Sequence, residues 1–340
     1  MPRPIHVPEI DEEPVASVLR VLQLRKVPNS LNLADEYRTA IARGLIASET
    51  DINGSALDAD SFEGDSLPQV RRIYGGQVIA QGLLSAAATV DDEARLPHSL
   101  HAYFLRGGNP DETLRFDVTR LRDGRSFSAR SVTAWQDDRE ILTMTTSFQA
   151  NEEGIESQVN HRDVPPPEEV DSALELFRTI DHPVSKFLGK TAAFDVRHVQ
   201  KSLYVGAPAE STPSQQLWMK IRSAVPDGAP QVIHRALLAY VVDQVMLEPS
   251  LRSVGLYWSA PGMSLASIDH SMWFHRDVDI NDWLLFSGES SSVSNSRAKS
   301  DVRIYTRGGR LVASASQEGM IRIPKDGERS SGHWTLNESR

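Results

Sequence analysis

Two runs of this chain echo each other. Ser267-Ile-Asp-His-Ser-Met-Trp-Phe-His-Arg276 sets a hydroxyl, a carboxylate, two imidazoles, two aromatic rings and an arginine within ten residues, and His98-Ser-Leu-His-Ala-Tyr-Phe-Leu-Arg106 is a fainter copy. Arg106 and Arg276 stand 170 residues apart, Arg130 and Arg297 stand 167 apart, and the apolar runs that begin at Ile141 and Leu311 stand 170 apart. Three pairs at nearly one offset point to an internal duplication. The richer chemistry of the second run assigns most of the function to the second copy.

The pattern within each copy is one helix and several alternating strands. In the first, Gly75-Gly76 opens a small-residue helix, and strands are expected over 99–105, 114–122, 126–136 and 140–149. In the second, strands are expected over 194–203, 216–223, 266–276, 283–293, 297–306 and 310–321, with a helix over 234–247. A sheet of this kind must bury one face, and wrapping a helix does that. The fold class is therefore α+β, with two units in tandem, each a long helix wrapped by a curved antiparallel sheet. The first unit spans 14–150, opening with an amphipathic helix at 14–26 and carrying an insertion at 27–68, itself expected to be helical over 33–46. A linker follows at 151–189, the second unit at 190–323 and a polar tail at 324–340.

Composition narrows the function. The chain has 340 residues, of which 40% are hydrophobic and 24% charged, which suits packed cores. A net charge of −10 excludes a generic nucleic-acid binder, which needs clustered Lys and Arg. With no cysteine, thiolate catalysis and Cys-ligated zinc are excluded. The first residues lack the apolar stretch of a secretory signal, the last four are not a peroxisomal Ser-Lys-Leu address, and the apolar run Ala236–Val242 is far short of the ~20 residues a bilayer requires. A cytoplasmic protein with no membrane partner is the expectation.

Asp243 is the sharpest chemical signal, because it interrupts the apolar helix Leu237-Leu-Ala-Tyr-Val-Val-Asp-Gln-Val-Met-Leu247. A carboxylate there is costly unless bonded, and in a cleft it can act as a general base; a place on a wet stripe or near the helix end would explain it equally. Ser267 stands where a loop enters a strand, and Gln317 closes an apolar strand, where its amide can position a water. A turn serine and an edge-strand amide are the plain alternatives. His98 and His101, like His270 and His275, have odd spacings that alternate strand faces, so no metal is expected from either pair. Gly64-Asp-Ser-Leu67 with Asp195-Val-Arg-His198 imitates a serine hydrolase, with Ser66 as nucleophile and His198 as base. No buried strand precedes Ser66, however, and no Gly-x-Ser-x-Gly elbow is present. Gly75-Gly76 at a helix start offers N–H groups to an anion or a carbonyl, or marks a helix packed too closely for any other residue.

Tyr74-Gly-Gly-Gln-Val-Ile-Ala-Gln-Gly82, His98–Arg106, Leu121–Arg130, Met144–Gln149, Asp269–Arg276, Trp283–Phe286 and Gln317–Arg322 together resemble the acyl-CoA thioesterase II (TesB-like) family, from about Val15 to Arg322. The resemblance implies a double hotdog that hydrolyses fatty acyl-CoA to free fatty acid and coenzyme A. It places the functional residues at Asp243, Ser267 and Gln317, holding a water for direct attack, with no metal and no cofactor. Gly75, Gly76 and Gln77 are the substrate-binding candidates, and Arg71, Arg72, Arg297, Lys299 and Arg303 are candidates for the coenzyme A phosphates. The resemblance also implies a homo-oligomer, dimer or tetramer. The insertion at 27–68 is longer than the family's usual connection. Two rival readings remain. One is a non-catalytic acyl-CoA-binding or sensing protein. The other is a hotdog hydratase, which would want a His beside its helix carboxylate; Asp243 has none one turn away.

Overall fold

The computed structural model describes residue 8 and residues 12–28, 59–181, 183–258 and 260–323. The helix expected at 33–46 and the tail after 323 lie outside these residues.

The first unit opens with helix α1 (Pro14–Val21), which buries Val15, Val18 and Val21 and ends earlier than expected, at a short strand β1 (Arg25–Val27). Strand β2 (Ala59–Gly64) pairs with β1 and belongs to the sheet, so the end of the expected insertion is regular structure. Helix α2 (Gly75–Ala87) follows, then β3 (Arg95–Phe104), β4 (Leu114–Asp123), β5 (Phe127–Gln136) and β6 (Arg139–Ala150). The expected linker contains two helices, α3 (Ala173–Thr179), capped by the Ser172 hydroxyl, and α4 (Pro183–Thr191). The second unit comprises β7 (Phe194–His198), β8 (Ser214–Ile221), α5 (Gln231–Val242), the short α6 (Glu248–Ser253), β9 (Ser264–Ser267), β10 (Asp269–Phe274), β11 (Leu284–Ser294), β12 (Arg297–Thr306) and β13 (Leu311–Arg322).

One antiparallel sheet runs through both units in the order β1-β2-β4-β5-β6-β3-β10-β13-β12-β11-β8-β7, with β9 beside β13. The left half mirrors the right, which is the tandem hotdog arrangement. The units join where β3 meets β10, with His101 opposite Ser271. Those two residues are themselves 170 apart, so the pseudo-twofold axis passes between them. One of the sequence pairs is corrected here. β5 and β12 start at Phe127 and Arg297, again 170 apart, so the counterpart of Arg130 is Ser300 rather than Arg297. Arg130 is buried against Thr89 and Asp123, whereas Arg297 is exposed and pairs with Glu318.

Every second position of β5 and β10 is buried on the inner face of the sheet, where apolar side chains are interrupted by polar ones such as Arg130 and His270, and α2 and α5 lie against that face. Ile79 and Leu83 of α2 are fully buried, each stabilising by about 1.5–3 kcal/mol relative to exposure. Small residues let α2 approach closely: a Cβ on Gly82 would stand 3.1 Å from the Met144 methyl. Gln77 and Gln81 are also fully buried, and their amides hold the preceding loop through the Leu67 N–H, the Asp65 carbonyl and the Val21 carbonyl. A local irregularity overrides the expected alternation in β3. The bulge between Pro97 and Ser99 brings His98 to the outer face with His101, where they bond separate serines, Ser147 and Ser271. No cluster of metal-binding groups occurs among the described residues.

Candidate active site

Asp243 is the C-cap of α5, where the helix ends beside the first turn of α2. The two helices run so close there that glycine is required. A Cβ on Gly75 would lie 2.7 Å from Asp243 Oδ2, and one on Gly76 would lie 2.1 Å from the Tyr240 carbonyl oxygen. Close packing does require the Gly-Gly pair, with α5 rather than the sheet as the partner, and the anion beside Gly76 is the chain's own Asp243 carboxylate. The Gly76 N–H donates to Oδ2 at 3.0 Å. A carboxylate at the C-terminus of its own helix meets an unfavourable dipole, and the N-terminus of α2 offsets it.

The other carboxylate oxygen ends a directional chain. Ser267 Oγ donates to Asp243 Oδ1 at 2.9 Å, Gln317 Nε2 donates to Ser267 Oγ at 2.9 Å, and His270 Nδ1 lies 2.6 Å from Gln317 Oε1. A carboxylate only accepts, so the Ser267 hydrogen goes to Asp243, Ser267 Oγ accepts from Gln317 Nε2, and Gln317 Oε1 is left to accept from His270 Nδ1, which carries the proton. Every hydrogen in the chain points toward Asp243, which is the arrangement an ionised carboxylate wants. Ser267 ends β9, while Gln317 sits mid-strand in β13 between β10 and β12 and is 1% exposed. It is therefore no edge-strand amide. His270, expected only to pack or hydrogen-bond, is fully buried and orients Gln317. In the first unit the matching inner positions on β3 and β6 are Leu100 and Thr146, which pair with each other and carry no such chain.

Burial pushes the His270 pKa down, and partial burial does the same for His98. A neutral imidazole is favoured in the fold but not in the unfolded chain, so this contribution is complete above pH ~6.5 and is lost as pH falls below it. We expect the melting temperature to hold flat from pH 8 to 7 and to decline from about pH 6.5 downward. Replacing His98 by Gln should flatten part of that decline, as thermal melts across the series would show.

Asp243 and Ser267 open onto a cavity of about 360 Å³. Its wall is apolar and aromatic: Phe187, Leu188 and Ala192 on and beside α4, Phe194, Tyr74, Tyr240, Tyr204 and Trp258. The Trp258 Nε1–H donates to the buried Glu248 at 2.8 Å, and Tyr204 stacks on Trp258, which braces that wall. The helical segment between the units thus contributes to the cavity, which its composition as a linker did not foretell. Of the expected site residues Asp243 and Ser267 line the cavity, whereas Gln317, Gly75, Gly76 and Gln77 do not; the Gln77 amide is committed to the loop before α2. Its N–H is bonded to the Tyr74 carbonyl, whereas the Gly75 N–H makes no bond among the described residues. Arg297 and Lys299 pair with Glu318 and Asp301, and neither they nor Arg303 lines the cavity. The serine-hydrolase imitation does not assemble. His198 is bonded to Glu248, and the buried Ser66 hydroxyl has no partner among the described residues.

The fold defines a class, the tandem-hotdog proteins, with a hydrogen-bonded carboxylate on the wall of a largely apolar cavity, and comparison with known proteins gives the family. Residues 64–149 match the acyl-CoA thioesterase N-terminal domain and residues 162–321 match the acyl-CoA thioesterase C-terminal domain. The chain is 36% identical over 275 residues to acyl-CoA thioesterase 2 of Haemophilus influenzae, covering 78% of this chain and 94% of that protein. It is 31% identical to human acyl-coenzyme A thioesterase 8, covering 81% and 88% respectively. Among solved structures, acyl-CoA thioesterase II TesB2 of Mycobacterium marinum superposes with a TM-score of 0.63 at 33% identity, covering 81% of this chain and 98% of that one. The tesB protein of Mycobacterium avium subspecies paratuberculosis does so with a TM-score of 0.67 at 27% identity, covering 90% and 99%. The chain belongs to the acyl-CoA thioesterase II family.

Proposed function

We propose that this acyl-CoA thioesterase hydrolyses fatty acyl-CoA to free fatty acid and coenzyme A by direct attack of a water held by Asp243, Ser267 and Gln317. The observation that carries the reading is the one-directional chain from His270 through Gln317 and Ser267 to Asp243, a lining residue of a largely apolar cavity. Both Asp243 oxygens keep a free lone pair after accepting one hydrogen bond each, so a water can sit on the carboxylate. Asp243 takes a proton from the water as its oxygen bonds to the thioester carbon. The C–S bond then breaks, and the coenzyme A thiolate leaves and is protonated. The Gly75 N–H, unbonded at the positive end of α2, is the group we assign to the carbonyl oxygen as charge develops there. Arg71 and Arg72 are exposed and close in sequence to Gln69 on the cavity wall. We assign them to the coenzyme A phosphates.

Release of free thiol from a graded series of acyl-CoAs tests the reading. Turnover that rises with chain length and then falls supports an acyl chain held in the cavity; binding without turnover on every member would favour the sensing reading. Leu188→Trp would fill part of the cavity. We expect it to lower kcat/KM for the longest good substrate by about 10–200-fold, the worth of one excluded methylene or more, and to leave the shortest acyl-CoAs within about twofold. Equal losses at all lengths would place the acyl chain elsewhere.

A further inference from the structure

We infer that Tyr74 is a positioning residue: its hydroxyl holds the turn of α5 that presents Asp243. This rests on Asp243 being the base. Past Val242 the backbone tightens, with the Gln244 N–H on the Val241 carbonyl and the Val245 N–H on the Val242 carbonyl, both at 3.2 Å. In an unbroken α-helix the Gln244 N–H would bond the Tyr240 carbonyl. The tightening leaves that carbonyl without its backbone partner, and an orphan carbonyl inside a protein needs another donor.

Tyr74 supplies it. Its hydroxyl donates to the Tyr240 carbonyl at 2.6 Å, and the two rings meet edge to face at 5.0 Å. Two residues further along the same chain, the Gly76 N–H bonds Asp243 Oδ2. The turn Tyr240–Asp243 is therefore gripped at two points by the start of α2, once on its backbone and once on the carboxylate. Burial, with the negative charge of Asp243 added, pushes the Tyr74 phenol well above its ordinary pKa. It stays a donor wherever the enzyme is folded. Tyr74 lies in the first unit and Asp243 in the second, so the first unit contributes to the site by shaping it.

Tyr74→Phe in the full chain separates this role from packing, because Phe keeps the ring and removes only the donor. With the hydroxyl gone the carbonyl must find another partner, and the turn shifts by a fraction of an ångström. We expect kcat to fall about tenfold with KM within about twofold, since a misplaced catalytic group costs rate before it costs binding. The melting temperature should change little. Combined with Asp243→Asn, the same substitution should cause no further loss, because the group it positions is already disabled. Three results would overturn the inference: wild-type kcat in Tyr74→Phe, a loss carried by KM and melting temperature instead of kcat, or an undiminished tenfold loss on the Asp243→Asn background. The base assignment fails on a separate result, full turnover by Asp243→Asn alone.

Discussion

Asp243→Asn should fold, bind acyl-CoA and lose about 10²–10⁴-fold in kcat, the range that general-base catalysis supplies. The substitution keeps size and cap geometry. An asparagine oxygen can still accept one of the two hydrogen bonds, from the Gly76 N–H or from Ser267. The amide nitrogen cannot accept the other, and it cannot take a proton from water. Because the loss falls on the chemical step, KM should stay near its wild-type value. Thiol release under saturating substrate, set beside a binding isotherm for the same variant, checks both halves. Turnover at the wild-type rate would remove Asp243 from the mechanism and leave Gln317 and Ser267 without a proton acceptor.

Gly76→Ala should be nearly as damaging to activity, and it should also cost stability. The added methyl would lie 2.1 Å from the Tyr240 carbonyl oxygen and 2.7 Å from the Tyr74 ring. The first contact is with backbone, which has no rotamer to change, so α2 and α5 must move apart. Overpacking of this kind costs about 1–3 kcal/mol. A displacement on the order of 1 Å at the carboxylate costs about 10²-fold in rate. Gly82→Ala is the comparison to make, since its methyl would meet only the movable end of Met144, at 3.1 Å. Melting curves and kcat for the pair give the answer: if Gly76→Ala matches Gly82→Ala on both, the close approach of the helices is not what holds the site.

Much of the fold was legible because half-buried strands alternate with period two. β12 falls at 297–306 as expected, and β5 and β11 start within a residue of expectation. Asp243 and Gln317 were legible as candidates because they are polar residues in or closing apolar runs, whereas Ser267, where a loop enters a strand, stood out only through the family resemblance. What the pattern hid was the end of α5. Val245, Met246 and Leu247 are buried after the helix stops, so the apolar run continues and no Gly or Pro marks the break before Pro249. The expected helix over 234–247 therefore ran too far, and of the readings open for Asp243 the place near a helix end is the one observed, since it is the partly buried cap. The strand expected over 194–203 stops at His198, and the one expected from Ala266 is two strands. Helix α3 did leave a signal, Ser172 with Glu175 three residues on, the spacing of a capping box. The acidic and proline-rich stretch just before it obscured that signal. His270 was visible, but its bond to Gln317 depends on the pairing of β10 with β13, which no local pattern states.

The seam between β3 and β10 makes the two copies one sheet, and the Asp243 carboxylate lies where the start of one copy's helix meets the end of the other's. Duplication has thus produced a division of labour without independence. The first copy keeps no His–Gln pair at its matching positions, Leu100 and Thr146, yet its Tyr74, Gly75 and Gly76 press on the turn that carries Asp243. Neither copy builds this carboxylate's surroundings by itself, so the two halves form one site only as a joined pair.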